Sequence, residues 1–136
     1  MDVDFAILAD SAQVVGGKLY LLGGAFDTIS SKKLPTIHPV MSLAFRLLFD
    51  AGEVDRTHNL EIVILDEDGK QIAKAGGPLM VKRNPNKPAG WKQGFLGVLN
   101  FANLKFERFG DYNLNIMFNN TAVKSITLRI LEKAKG

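Results

Sequence analysis

One stretch of the chain combines positive charge with an aromatic side chain. Residues 76–93 hold three prolines, and the candidate partner-binding side chains in this stretch are Lys82, Arg83, Lys87, Trp91 and Lys92. Cationic side chains neutralise phosphate groups, and an indole ring can stack on a nucleobase. The stretch is therefore a candidate contact for single-stranded nucleic acid or another anionic surface. The alternative is a solvated loop whose Trp91 tucks over the end of the domain.

Three carboxylates in a row precede a glycine in the segment Asp66-Glu67-Asp68-Gly69. Carboxylate oxygens are the ligands that calcium prefers, but calcium takes about six to eight of them. One short run supplies too few ligands unless neighbouring loops add Asp10, Asp27 or Asp50. Asp66 and Asp68 are thus weak calcium candidates, and a solvated acidic turn is the simpler interpretation.

The chain has two histidines, His38 and His58, and an imidazole ring is the usual general base or metal ligand of an enzyme. Neither has a serine nucleophile or a paired carboxylate at a fixed spacing, and the chain contains no cysteine. A catalytic site would have to be assembled from the scattered residues Asp10, Asp27, His38 and His58. The sequence predicts structural roles for both histidines and no enzymatic activity, and it shows no cofactor motif.

The elements that would position these side chains are β-strands, because apolar residues recur with a period of two. About eight strands are predicted. Six lie near residues 3–10, 17–27, 40–50, 58–66, 70–75 and 94–106, the seventh contains Tyr112 and Phe118, and the eighth follows a turn at residues 119–121 and contains Ile126, Leu128 and Ile130. Asp-Gly between the fourth and fifth is a hairpin signal, because glycine accepts the positive φ of short turns. No segment shows the spacing of an amphipathic helix.

Two strands show the clearest alternation. The third places Met41, Leu43, Phe45, Leu47 and Phe49 on one face. The seventh points Tyr112, Leu114, Ile116 and Phe118 inward. A tyrosine that begins a strand just after a corner is typical of a tyrosine corner, in which its hydroxyl bonds to the backbone a few residues upstream.

These patterns predict one all-β domain over residues 1–136: an antiparallel, two-sheet Greek-key sandwich of immunoglobulin-like or C2-like type. The alternative is an eight-stranded barrel. A chain of 136 residues with 46% hydrophobic residues can bury one core. Prolines exclude a central strand from residues 76–93, which are expected to form a long loop or a covered edge. The tail, residues 131–136, is expected to fray.

The charge and composition of the chain indicate where the protein is located and what it could bind. The opening Met1-Asp2-Val3-Asp4 is acidic where a secretory signal is basic, and no apolar run approaches a membrane span, so a cytoplasmic location is expected. Residues 1–70 hold 6 basic and 11 acidic side chains, whereas residues 71–136 hold 11 and 3. This asymmetry hints at an acidic partner, although strands from both halves of a sandwich interleave in space.

The opening segments Val3-Asp4-Phe5-Ala6-Ile7-Leu8-Ala9-Asp10 and Gly17-Lys18-Leu19-Tyr20-Leu21-Leu22-Gly23-Gly24-Ala25-Phe26-Asp27 are similar to those of a family of small bacterial and phage proteins. That family is known only as a domain of unknown function. The resemblance implies a stand-alone β-domain and carries no catalytic residues over. Residues 110–130 also resemble the last hairpin of immunoglobulin-like domains.

The function predicted from these observations is a non-enzymatic protein-interaction or scaffolding module, whose partner is another protein or a second copy of the chain. The alternative is a domain that binds nucleic acid or an anionic surface through the basic loop, residues 82–92.

Overall fold

The computed structural model describes residues 1–134, which form nine strands. The strands are β1 (Asp2–Val15), β2 (Lys18–Gly24), β3 (Thr28–Ser31), β4 (Thr36–Phe49), β5 (Thr57–Leu65), β6 (Gln71–Met80), β7 (Gln93–Phe106), β8 (Gly110–Phe118) and β9 (Thr121–Glu132). No helix occurs in this part of the chain, so it contains none that could span a membrane.

The strands form two separate sheets. The first has the order β2-β1-β4-β7, and the second has the order β3-β9-β8-β5-β6. Every neighbouring pair is antiparallel except β3 and β9, which are parallel. The predicted two-sheet sandwich is confirmed. The barrel alternative is wrong because the edge strands β6 and β7 do not pair with each other.

The core lies between β4 of the first sheet and β5, β8 and β9 of the second. On β4 the residues predicted to face inward are at most 2% exposed, and on β8 Leu114 and Ile116 are fully buried. Both alternation patterns read from the sequence are therefore confirmed. Polar residues on the other face of β8, such as Asn113 and Asn115, are half-buried.

Several boundaries differ from those predicted; β1 continues to Val15, β2 ends at Gly24 and β4 begins at Thr36. Strand β6 continues through Gly76, Gly77 and Pro78 to Met80, so the loop spans only residues 81–92. Pro78 is tolerated because β6 is an edge strand, which needs no N–H on its open side. The four-residue β3 was missed because it is too short for a period of two. Strand β9 extends to Glu132, whereas residues 135–136 of the tail expected to fray lie outside the described residues.

Tyr112 fixes the crossing from β7 in the first sheet to β8 in the second. Its hydroxyl donates to the carbonyl of Arg108 at 2.9 Å and accepts from the N–H of the same residue at 3.3 Å. The ring packs edge-on against Phe106, with centroids 4.9 Å apart. The tyrosine corner predicted from the sequence is confirmed, and it joins the end of β7 in the first sheet to the start of β8 in the second.

Replacing Tyr112 by Phe is expected to destabilise the protein by about 1–2 kcal/mol, because two backbone groups of Arg108 lose their partner next to the core. Urea denaturation measures this change in the free energy of unfolding. Tyr20→Phe is the matched control: its ring is 57% exposed, so its effect should stay within about 0.5 kcal/mol. Equal effects of the two substitutions would contradict a structural role for the corner.

Candidate functional site

A groove of about 370 Å³ opens between β6 and β7, where the two sheets end side by side. It is lined by Phe45, Leu60, Gly76, Gly77, Pro78, Leu79, Phe95, Gly97, Val98 and Leu99. All of these residues are apolar or glycine, so no charged or hydrogen-bonding side chain lines the groove. A surface of this kind favours an uncharged, apolar occupant that is held through its backbone.

Glycines shape the groove from both sides. A Cβ atom on Gly97 would lie 2.5 Å from the ring of Phe45, so this glycine lets that ring lie against β7. Gly76 has φ +121° and approaches the carbonyl of Leu60 too closely for any side chain. Gly77 differs from both, because a Cβ atom there would meet nothing within 4 Å. Gly77 pairs with the buried Leu60, so a side chain at Gly77 would point into the groove.

Strand β7 offers an unpaired edge along this groove. It is 14 residues long, pairs with β4 along its whole length, and has no strand on its other side. Edge strands are commonly protected by prolines, bulges or short length. The facing edge, β6, has such protection in Pro78 and the irregular Gly76. Strand β7 contains no proline, and its residue with positive φ, Asn103, lies outside the part that lines the groove. Backbone groups on the open side of β7 are therefore available to an added strand.

The basic loop is anchored at its base. Residues 84–87 and 88–91 form two turns, closed by bonds from the N–H of Lys87 to the carbonyl of Asn84 and from the N–H of Trp91 to the carbonyl of Pro88, each 3.2 Å. The buried Gln93 accepts the N–H of Asn84 through its side chain. The loop thus has a defined conformation, although most of its side chains are exposed.

The five side chains singled out in this loop divide into two groups. Lys92 bonds to Asp2 and lies 3.7 Å from Asp50, and the bond to Asp2 raises the pKa of this lysine. Within residues 1–134, Lys82, Arg83 and Lys87 have no acidic partner. Lys92 is therefore a structural ion-pair residue, and the other three cations are available to a ligand.

Trp91 does not cover the end of the sandwich. Its side chain is 63% exposed and forms one wall of a cavity of about 110 Å³, together with Val54, Arg83 and Lys87. Most of the Trp91 surface is thus open to solvent, and Arg83 and Lys87 line the same cavity.

The acidic run binds an arginine. Asp66 and Asp68 lie 3.0 and 2.9 Å from the guanidinium of Arg108, and Glu67 accepts the N–H of Asp111. Arg108 thus occupies the position between the carboxylates where a cation would bind. In the described part of the chain, no three His, Cys, Asp or Glu side chains are arranged to hold a metal ion.

The Asp66 carboxylate also organises the predicted hairpin turn. The backbone N–H of Lys70 is the largest influence that holds the pKa of Asp66 below its ordinary value; the Arg108 guanidinium and the N–H of Asp68 act in the same direction, and burial opposes them. Gly69, with φ +80°, provides the turn geometry expected from the Asp-Gly pair.

The histidines lie in different surroundings. The Nε2 atom of His58 is 2.7 Å from the carbonyl of Glu53, and its Nδ1 atom is 3.0 Å from the side-chain amide of Asn119. Its ring also packs against those of Phe49 and Phe118. His38 lies on β4 opposite Leu104 with its Nε2 atom buried. Asp27 accepts the hydroxyl of Thr28, and Asp10 lies beside Gly23.

Comparison with known proteins identifies the family. Residues 4–131 match the model of a family described as a family of unknown function, DUF6941. The chain belongs to this family. The predicted resemblance to a domain of unknown function is thereby confirmed. No curated protein matches this DUF6941 chain.

A solved structure with some similarity to the DUF6941 chain is that of the Pseudomonas fluorescens alkylpurine DNA glycosylase AlkC, bound to DNA containing an abasic site analog. The identity is 14% and the TM-score is 0.44, over 79% of this chain and 28% of the glycosylase. The DUF6941 chain thus spans about a quarter of that protein, and the likeness is too low to support an argument about function.

Sequence reasoning missed the groove in this DUF6941 chain. Its walls come from β6 and β7, which are neighbours in sequence but belong to different sheets. The only local signal was the group Gly76-Gly77-Pro78, which indicated an irregular edge without showing what lies opposite.

The negative charge of Asp66 is expected to make the stability of the folded protein depend on pH. The pKa of Asp66 is lower in the folded protein than its ordinary value of 3.8. The contribution of the ionised carboxylate to the free energy of unfolding is therefore complete above pH 3.8 and is lost as the pH falls through the pKa of the folded state. Asp66→Asn should therefore flatten the decrease in Tm between about pH 6 and pH 2. Asp10→Asn is the control, and parallel curves for Asp66→Asn and the unaltered protein would contradict this assignment.

Proposed function

We propose that this chain is a non-enzymatic protein-interaction module that binds an extended, apolar segment of a partner protein in the groove between β6 and β7. The observation that supports this function best is the unpaired 14-residue edge of β7, which borders a groove with entirely apolar walls. Strand addition of this kind obtains affinity from backbone hydrogen bonds and specificity from alternate side chains.

The chemistry of the groove defines the partner segment. Residues on one face of the added strand would contact Phe45, Phe95 and Leu79, and no charged group is present to pair with a charged ligand. An unpaired charge placed there would lose its hydration without compensation. The segment is therefore uncharged over the part that enters the groove, with apolar residues at every second position.

The other sheet edges are less suitable for this role. Strand β3 has four residues, and it is followed by Lys32 and Lys33. Strand β2 has seven residues and pairs with β1. The β1–β2 hairpin projects beyond β4, because Ala9 is the last residue at which β1 pairs with β4. Strand β6 borders the same groove with ten residues but carries Pro78 and the irregular Gly76, whereas β7 is longer and contains no proline.

Two further features support an interaction role. Both ring nitrogens of His58, one of the residues from which catalysis would have to be assembled, have partners within the fold. The sandwich is proposed to be of immunoglobulin-like type, because β4 and β7 share one sheet, β5, β8 and β9 share the other, and the tyrosine corner begins β8. Domains of that type often serve as binding scaffolds.

Gly77→Val is expected to block the groove without harming the fold. The new side chain would enter open space, and replacing a strand glycine with a compatible residue stabilises a protein by about 0.4–1 kcal/mol. Peptides first selected from a library of random decapeptides should bind the variant about tenfold more weakly or worse, because filling a packed site costs about 1–3 kcal/mol. Fluorescence anisotropy of the labelled peptides measures this change.

Gly52→Val is the matched control, because Gly52 also faces open space but lies in the turn before β5, away from the groove. We expect it to bind the selected peptides like the unaltered protein. Selection that enriches no apolar peptide, or peptides that bind Gly77→Val equally well, would overturn the proposal. A dimer in sedimentation velocity that is lost in Gly77→Val would also overturn it, since the occupant would then be a second copy.

A further inference from the structure

The basic loop separates two cavities on the surface of the first sheet, and Lys87 lines both of them. The smaller cavity, about 110 Å³, lies beside Trp91 and Arg83. The larger, about 360 Å³, lies between the tip of the β1–β2 hairpin and the outer face of the first sheet, where it is lined by Val14, Arg46 and Gly94. Lys87 is therefore the one residue that the two cavities share, and Phe95 is the one residue that the larger cavity shares with the β6–β7 groove.

The positive charge around these two cavities is not all available. Arg46 bonds to Asp4 at 2.7 Å, and Lys92 is held by Asp2. Arg83 and Lys87 have no acidic partner among the residues that the structure describes. Two cations without a salt-bridge partner thus line the cavity beside Trp91, and the Asp55 carboxylate, which accepts the backbone N–H of Arg83 at 3.1 Å, is the acidic group next to them.

Trp91 has the position expected of a stacking platform. The turn that ends at Trp91 depends on Gly90, whose φ of +90° is strained for other residues. The side chain leaves this turn with most of its surface in solvent, although an indole of this size gains free energy when it is covered. A planar group that stacks on the ring would cover it and bring attached phosphates within reach of the two cations.

The loop does not need to fold when it binds. Its two turns, the bond from Asn84 to the buried Gln93, and a bond from the N–H of Arg83 to the Asp55 carboxylate fix the backbone beforehand. A binding surface that is ordered in advance loses less entropy on association than a mobile loop. The combination of an exposed ring, two free cations and a fixed backbone is therefore more than a solvated charge run.

We propose that the surface formed by Arg83, Lys87 and Trp91 binds single-stranded nucleic acid, with a base stacked on Trp91 and two successive phosphates paired with Arg83 and Lys87. Single strands are favoured over duplexes because a stacked base must be free of its own neighbours. This inference is independent of the peptide groove, since each surface can be altered without changing the other.

The only tryptophan of the chain allows the contact to be measured directly. Oligothymidylate and oligouridylate of about fifteen nucleotides are titrated into the protein at low salt while Trp91 emission and the anisotropy of a fluorescein label are recorded. We expect quenching that follows the anisotropy change, and a slope of log affinity against log salt near about −1.4 for two phosphate contacts.

Two variants test the residue assignments. Trp91→Ala should weaken the anisotropy titration by about fivefold to a hundredfold, the measured range for loss of one stacked base. The double variant Arg83→Glu with Lys87→Glu should abolish binding. Its control is Lys124→Glu with Lys133→Glu, which changes the net charge equally at exposed positions on and after β9 and should retain binding.

Three results would overturn this proposal. The first is an absence of Trp91 quenching and of anisotropy change at low salt. The second is an equal loss of binding in the two double variants, which would show general attraction by net charge. The third is that heparin, a polyanion without bases, displaces the oligonucleotide equally well from Trp91→Ala and from the unaltered protein. Stacking on Trp91 would then contribute nothing to binding.

Discussion

The long pairing of β4 with β7 is the interaction on which the rest of the structure depends. It aligns Thr36 with Phe106 at one end and Phe49 with Gln93 at the other. Because the inward face of β4 is almost fully buried, this ladder fixes β7 against the core although β7 has only one neighbour. The position of β7 in turn determines where the crossing to β8 begins, where the basic loop ends and where the apolar groove opens.

Electrostatic pairing explains why the asymmetric charge of the sequence does not produce two charged halves. Acidic residues of the first half bind basic residues of the second in the pairs Asp2 with Lys92, Glu61 with Lys74, and Asp66 with Arg108. Exposed pairs of this kind contribute little stability individually. The three pairs neutralise three of the eleven basic residues of the second half, and Lys82, Arg83 and Lys87 of the basic loop are among the cations that have no acidic partner within residues 1–134.

Much of the fold could be predicted from the sequence, because local patterns determine it. The alternation in β4 and β8, the Asp-Gly turn and the tyrosine at the start of β8 each act over a few residues. The parallel strand β3 and the extension of β6 through Pro78 could not be predicted, since both depend on a partner distant in sequence or on an open edge. The cationic and aromatic residues of the loop could be predicted from their residue types. The different roles of Lys92 and Lys87 could not, because they depend on the ion pair between Lys92 and Asp2, which forms only in the folded chain.

The groove could not be predicted for the same reason, because it exists only where two sheets end without joining.

Residue-resolved amide hydrogen exchange of the free protein tests this open edge most directly. We expect every second amide of β7 to be protected by its bond to β4, while the intervening amides, which point away from β4, exchange rapidly. Uniform protection along residues 93–106 would contradict the account, because it would mean that another strand already covers the edge.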